Sequence, residues 1–165
     1  MKNEQTQKLY EMRINELYIQ AFEKIKENFK GPAALIKWTA FVTEDLYCFS
    51  RNFKFIGSDK DFDIDEIFLF YYFHALGVAW FEDDMNGVKD ALTNLLNLGG
   101  AERFYHSISK ALAVRSWNKT SSGIEPLKEF TESFVCLVDV AIIFEQIEEL
   151  EEEMREMRRR GEKVL

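Results

Sequence analysis

Chain breakers are scarce in this sequence. Two prolines and eight glycines among 165 residues are too few for a β-sandwich or a loop-rich protein, which turn about every ten residues. Cysteine is scarcer still. Cys48 and Cys136 each sit inside an apolar run, so no disulfide framework is built and both read as buried thiols of a reducing compartment. The sequence has no Gly-rich phosphate loop, nucleophile elbow, Cys-x-x-Cys or His-Glu-x-x-His, the common signatures of phosphate, acyl-transfer and zinc chemistry. Of its two histidines, neither His74 nor His106 has a glutamate three positions before it, as a di-iron bundle site requires. The opening residues, Met1 to Gln5, lack the apolar core of a signal peptide. These absences predict a cytoplasmic chain with no cofactor and no metal, and they yield no catalytic set.

Basic residues are outnumbered as well. Twenty-one Lys and Arg face 29 Asp and Glu, a formal charge of −8, which argues against a surface that tracks phosphate backbones. The imbalance is local. Residues 61–100 hold eight acids and one base, net −7. Residues 125–165 hold twelve acids and six bases, net −6. One basic segment remains, where Arg103, Lys110, Arg115 and Lys119 stand against Glu102 alone. Those four carry the reading of a small helical subunit of a nucleoprotein complex.

What the sequence has in abundance is aromatic residues: fifteen Phe, six Tyr and three Trp. Seven of them fall in one uncharged stretch of fifteen residues, Ile67 to Phe81, bounded by Asp63, Asp65 and Glu66 and by Glu82, Asp83 and Asp84. Apolar on every side, such a helix calls for cover on every side. A membrane span needs roughly 20 apolar residues, and acidic flanks give no orientation signal. The stretch therefore reads as a central core helix.

The remaining pattern is helical. Spacings of three and four predict a first helix from about Thr6 to Phe29, with Tyr10, Ile14, Leu17, Tyr18, Ala21, Phe22 and Ile25 on one face. Gly31-Pro32 ends it and opens a second, to about Phe53. A third runs from Asp63 to about Glu82, with Gly77 inside it at a cost of roughly 1 kcal/mol against Ala, which points to a close helix–helix approach. A short fourth helix ends at Gly99-Gly100, and a fifth covers about Ala101 to Trp117. The last begins near Glu125-Pro126 and meets no breaker before Gly161. The expected fold is all-α: one domain, a bundle of about six helices around a buried aromatic-rich central helix, with a long C-terminal helix whose residues 146–160 project or dock a partner.

Three constellations carry functional expectations. Cys136, Val140, Ile143, Ile147, Leu150, Met154 and Met157 keep four-three spacing to the end of the last helix, the seam of a coiled coil. This predicts a non-enzymatic assembly subunit that forms a homodimer, or docks another helical protein, through that helix. Glu151–Arg155 and Glu156–Arg160 stand in the favourable order for i,i+4 pairs along it. His74, Tyr71 and Trp80 are candidates for an aromatic pocket, and Glu102–His106 for two of the three ligands that a metal would need. Finally, Glu129 with Glu132 and Glu145 with Glu148, with Asp139 between, could gather Mg²⁺. This set resembles the Glu-x-x-Glu arrangement of all-α nucleotide pyrophosphohydrolases, and the resemblance implies Mg²⁺-dependent nucleotide hydrolysis as the enzyme alternative. It departs from that pattern in lacking a paired Glu-x-x-Asp. Lys128, Glu132, Asp139 and Gln146 also form one ordinary polar face.

Overall fold

The structure is a computed structural model. It describes the backbone of residues 2–54, 64–122 and 128–164, and the side chains of 4–44, 68–111 and 135–161. The loop at 57–61, the Asp63 cap, and the side chains of Cys48, Arg115, Asn118, Lys119, Glu129 and Glu132 lie outside those residues.

Six helices and no strand occupy the described backbone: α1 (Lys2–Asn28), α2 (Pro32–Lys54), α3 (Ile64–Phe81), α4 (Met85–Asn97), α5 (Gly100–Ser122) and α6 (Lys128–Val164). The all-α bundle and its long last helix are as the periodicity implies. Three ends differ. α1 starts at Lys2, α5 continues to Ser122, and α6 passes through Gly161 to Val164. A single glycine lowers helix propensity by about 1 kcal/mol, which a 37-residue helix held along its length absorbs.

Local chemistry explains the stops. Pro32 opens α2, where its missing N–H costs nothing. Asp83 takes a left-handed φ of 54°, a conformation that Asp tolerates better than most residues. Asp84 then caps α4, its carboxylate accepting from the Gly87 N–H at 3.0 Å. Between α4 and α5 the chain turns on Gly99 (φ 145°) and Gly100 (φ 88°), both outside the range that L side chains favour.

The helices close into a circuit: α6 packs on α1 and α5, α5 on α2, α2 on α3, and α3 on α4, which returns to α5 and α1. Rings mark the same path through the core. Phe29, just after α1, meets Trp38 of α2 at 5.7 Å between centroids, and Trp38 meets Phe73 of α3 at 5.6 Å. Phe73 meets Phe104 of α5 at 5.8 Å, Phe104 meets Phe144 of α6 at 5.0 Å, and Phe144 returns to Tyr18 of α1 at 6.4 Å. Most of these contacts are edge-on, the arrangement the ring quadrupole favours.

α2 and α3 run antiparallel and close together at Gly77. A Cβ there would lie 2.6 Å from Ile36 Cγ1, so the glycine is required by the approach of α2. Gly77→Ala is expected to lower stability by about 1–2 kcal/mol through overpacking, although alanine is the better helix former. Ile36→Ala should cost less in the Gly77→Ala background than in the native chain. Urea denaturation of the four-member cycle measures this, and simple additivity would remove the steric explanation.

Candidate interaction surface

Among the described residues, α3 is covered on one side only. Leu69, Phe70, Phe73 and Leu76 are 2% exposed or less, and Ala79 is buried with them. On the opposite side Phe68 (45%), Tyr71 (61%) and Phe81 (73%) face solvent, with His74 exposed and Ala75 and Val78 half-buried between them. Met85, the first residue of α4, is exposed as well, at 54%. These positions recur at helical spacing, so they form one stripe about 20 Å long from Phe68 to Phe81. The cause lies in the circuit. With α2 on one flank and α4 on the other, no described helix is left to cover the outer face.

The candidate pocket of His74, Tyr71 and Trp80 is not brought together. Tyr71 stands edge-on to its neighbour Tyr72 at 5.5 Å, and His74 is exposed beside it on the stripe. Trp80 turns the other way, half-buried, its ring 5.9 Å from Phe22 of α1 at 88°. A helix that is apolar all round hides from its sequence which side faces in, and here the histidine side faces out.

The seam of the last helix is occupied within the chain. Cys136, Val140, Ile143, Ile147 and Met154 are buried, and Leu150 and Met157 half-buried. Their cover is α1, which runs antiparallel along α6. The Cys136 thiol donates to the Lys24 carbonyl at 3.0 Å, Tyr18 packs on Phe144, and near the far end the Tyr10 hydroxyl hydrogen-bonds Glu153. Residues 146–160 are thus paired with the N-terminal half of α1, whose own stripe is long enough to match them. A recess of about 70 Å³ remains there, lined by Gln7, Met154, Met157, Arg158 and Gly161, well below the several hundred Å³ of an ordinary ligand pocket. Of the two expected ion pairs, Glu156–Arg160 forms at 3.9 Å. Arg155 instead reaches Glu152 at 2.8 Å, because Glu151 is half-buried, and that burial raises its carboxyl pKa.

The acids proposed for Mg²⁺ are engaged or dispersed. Glu148 caps the N-terminus of α5, accepting from the Ala101 N–H at 2.7 Å. A charged acceptor suits the positive end of a helix. Gly100 permits it, since a Cβ there would lie 2.8 Å from Glu148 Oε2. Glu145 is exposed and Asp139 half-buried. Glu102 and His106 pair at 3.7 Å on the open surface, and the described residues contain no group of three metal-ligating side chains. Arg103 and Lys110, from the basic segment, are each half-buried on α5. Among the described residues no helix is long and apolar enough to cross a membrane.

The chain matches no known protein family, no characterised protein and no solved structure. Sequence reasoning missed the outward residues Phe68, Phe81 and Met85 and the tertiary cap by Glu148. The stripe has a faint signal in the 68, 71, 75, 78 spacing; the cap has none, because its partners are 47 positions apart.

Glu148→Ala is expected to cost about 1–2 kcal/mol, and Glu148→Gln, which keeps an acceptor, roughly half of that. Equal losses in urea melts would show that the carboxylate acts by charge alone.

Burial pushes the Cys136 thiol up to about 12 from 9.0. The folded state holds that proton more tightly than the unfolded chain does, so stability is complete below pH 9 and falls as pH rises from there toward 12. Cys136→Ala should flatten the decline measured in urea at pH 8 and pH 10. An unchanged slope would assign it to other groups, such as Tyr18, whose burial also raises its pKa.

Proposed function

We propose that this chain is a non-enzymatic interaction or assembly protein, and that its contact surface is the open face of α3. One observation carries the reading. The most apolar helix of the chain leaves Phe68, Tyr71 and Phe81 in solvent, and Met85 is exposed just beyond it. Taking about 200 Å² for a fully exposed large side chain, the stripe leaves on the order of 450 Å² uncovered. Continuous apolar patches of that size on a monomer often serve contact, and a stripe at helical spacing fits a further helix.

The seam of α6 supports association less directly, because α1 already covers it. Pairing of that seam between chains would require α1 to leave, exposing Leu17, Ala21 and Ile25, each 1% exposed or less. The open face of α3 requires no such rearrangement.

A photo-crosslinking residue at position 81 is expected to give a discrete protein adduct in the cells that make this chain. The same residue at position 149, on the exposed acidic face of α6, should give none. Tyr71→Glu should abolish the adduct while leaving the melting temperature nearly unchanged, since exposed substitutions usually shift stability by less than about 0.5 kcal/mol. If position 81 forms no adduct of any kind, the reading fails.

A further inference from the structure

The stripe on α3 is apolar along its length and acidic at both ends. At the C-terminal end Glu82, Asp83 and Asp84 are all exposed. At the N-terminal end Asp65 and Glu66 fall within the first turn of α3. Lys89 is the only base between residues 61 and 100. Asp84 has a local task as the cap of α4, whereas Glu82 has no resident cation beside it in the sequence and stands at the negative end of the α3 dipole, where a cation is the favoured charge.

We propose that the occupant of this face is a helix of another protein, with an apolar stripe of three to four turns and Lys or Arg at both ends. The inference rests on the reading of α3 as the contact surface and adds the chemistry of the partner. Two considerations select it over a second copy. The first is charge. Antiparallel pairing of two α3 helices would set Glu82–Asp84 of one against Asp65 and Glu66 of the other, and parallel pairing would set each acidic end against itself. Like charges at close quarters oppose docking, whereas basic ends on a partner turn both clusters into attraction. The second is area. A surface on the order of 450 Å² is short of the roughly 800 Å² per partner of a stable dimer, so apolar burial does not outweigh that repulsion. The same area suits a transient helix-on-helix contact, in which end charges supply register and on-rate.

The test titrates the full-length chain with two synthetic helical peptides of about 18 residues. Both carry leucine at 3-4 spacing on one face; one has Lys and Arg at its ends and the other Glu. Fluorescence anisotropy should show the basic peptide binding at least about tenfold more tightly, with an affinity that declines as salt rises. Tyr71→Glu with Phe81→Glu should abolish binding, and Glu82→Lys with Asp83→Lys should reduce the preference for basic ends; thermal melts confirm that each variant is folded. Equal binding of the two peptides would overturn the charge inference and leave the contact surface standing. Basic-peptide binding that survives Tyr71→Glu with Phe81→Glu would overturn it as general attraction to an acidic protein. A chain that binds neither peptide and sediments as a dimer dissolved by Phe81→Glu would give the face to a second copy. Binding of neither peptide by a strictly monomeric chain would remove both the inference and the reading beneath it.

Discussion

The path of rings from Phe29 through Trp38, Phe73, Phe104 and Phe144 to Tyr18 is the constraint on which the rest of this structure depends. Each step joins residues of different helices, with centroids between 5.0 and 6.4 Å apart. A ring cannot shrink or bend to fit, so fixing one fixes the distance and tilt of its neighbours. Aromatic pairs contribute about 0.5–1.5 kcal/mol each beyond their burial, and the path distributes that over α1, α2, α3, α5 and α6 together. α4 stands outside it and is held by aliphatic contact instead, through Val88, Ala91, Leu92, Leu95 and Leu96.

That path decides which face of α3 is inside. Phe70 and Phe73 must face Trp38, and Phe73 must also reach Phe104, so the opposite side of the helix is turned away from α5 and α6. α2 is then drawn close at Gly77, and α4 takes the other flank. With the flanks filled, Tyr71, His74 and Phe81 are left outside. The open stripe is therefore a consequence of the core's geometry, and none of the described helices is left to cover it.

Sequence made the helices legible and much of their packing illegible, for physical reasons that differ by element. α4 could be read to its faces, because its apolar residues recur against a polar background and Asp84 and Gly99 mark its ends. Gly77 could be read as a close approach, since a glycine in a helix interior costs too much to stand there without one. The side of α3 that faces inward could not be read. With Phe, Tyr, Leu and Val on every side, periodicity carries no contrast, and only the positions of other rings break the tie. The seam of α6 was legible as a seam, but its four-three spacing is satisfied equally by a partner in trans and by the matching stripe of α1 in the same chain. Tethering raises the effective concentration of α1 far above that of any second molecule, and α1 lies along it.

Glu148 ties these two halves of the molecule together. It belongs to α6, about one turn beyond Phe144, and it closes the N-terminus of α5 across the Gly99–Gly100 turn. Without a carboxylate at that point the first N–H groups of α5 would have no partner from their own turn, since two glycines offer no side-chain acceptor. The turn in turn sets where α4 ends, and α4 is joined to the C-terminal end of α3 through Asp84, which bonds the Ala79 carbonyl and caps α4. A residue that looked from spacing like half of a metal-binding pair thus acts as a positional lock. The α1–α6 pair, the α5 cap and the α3 face form one mechanical sequence, in which the long helix pairs with its own chain and the short apolar one keeps one face in solvent.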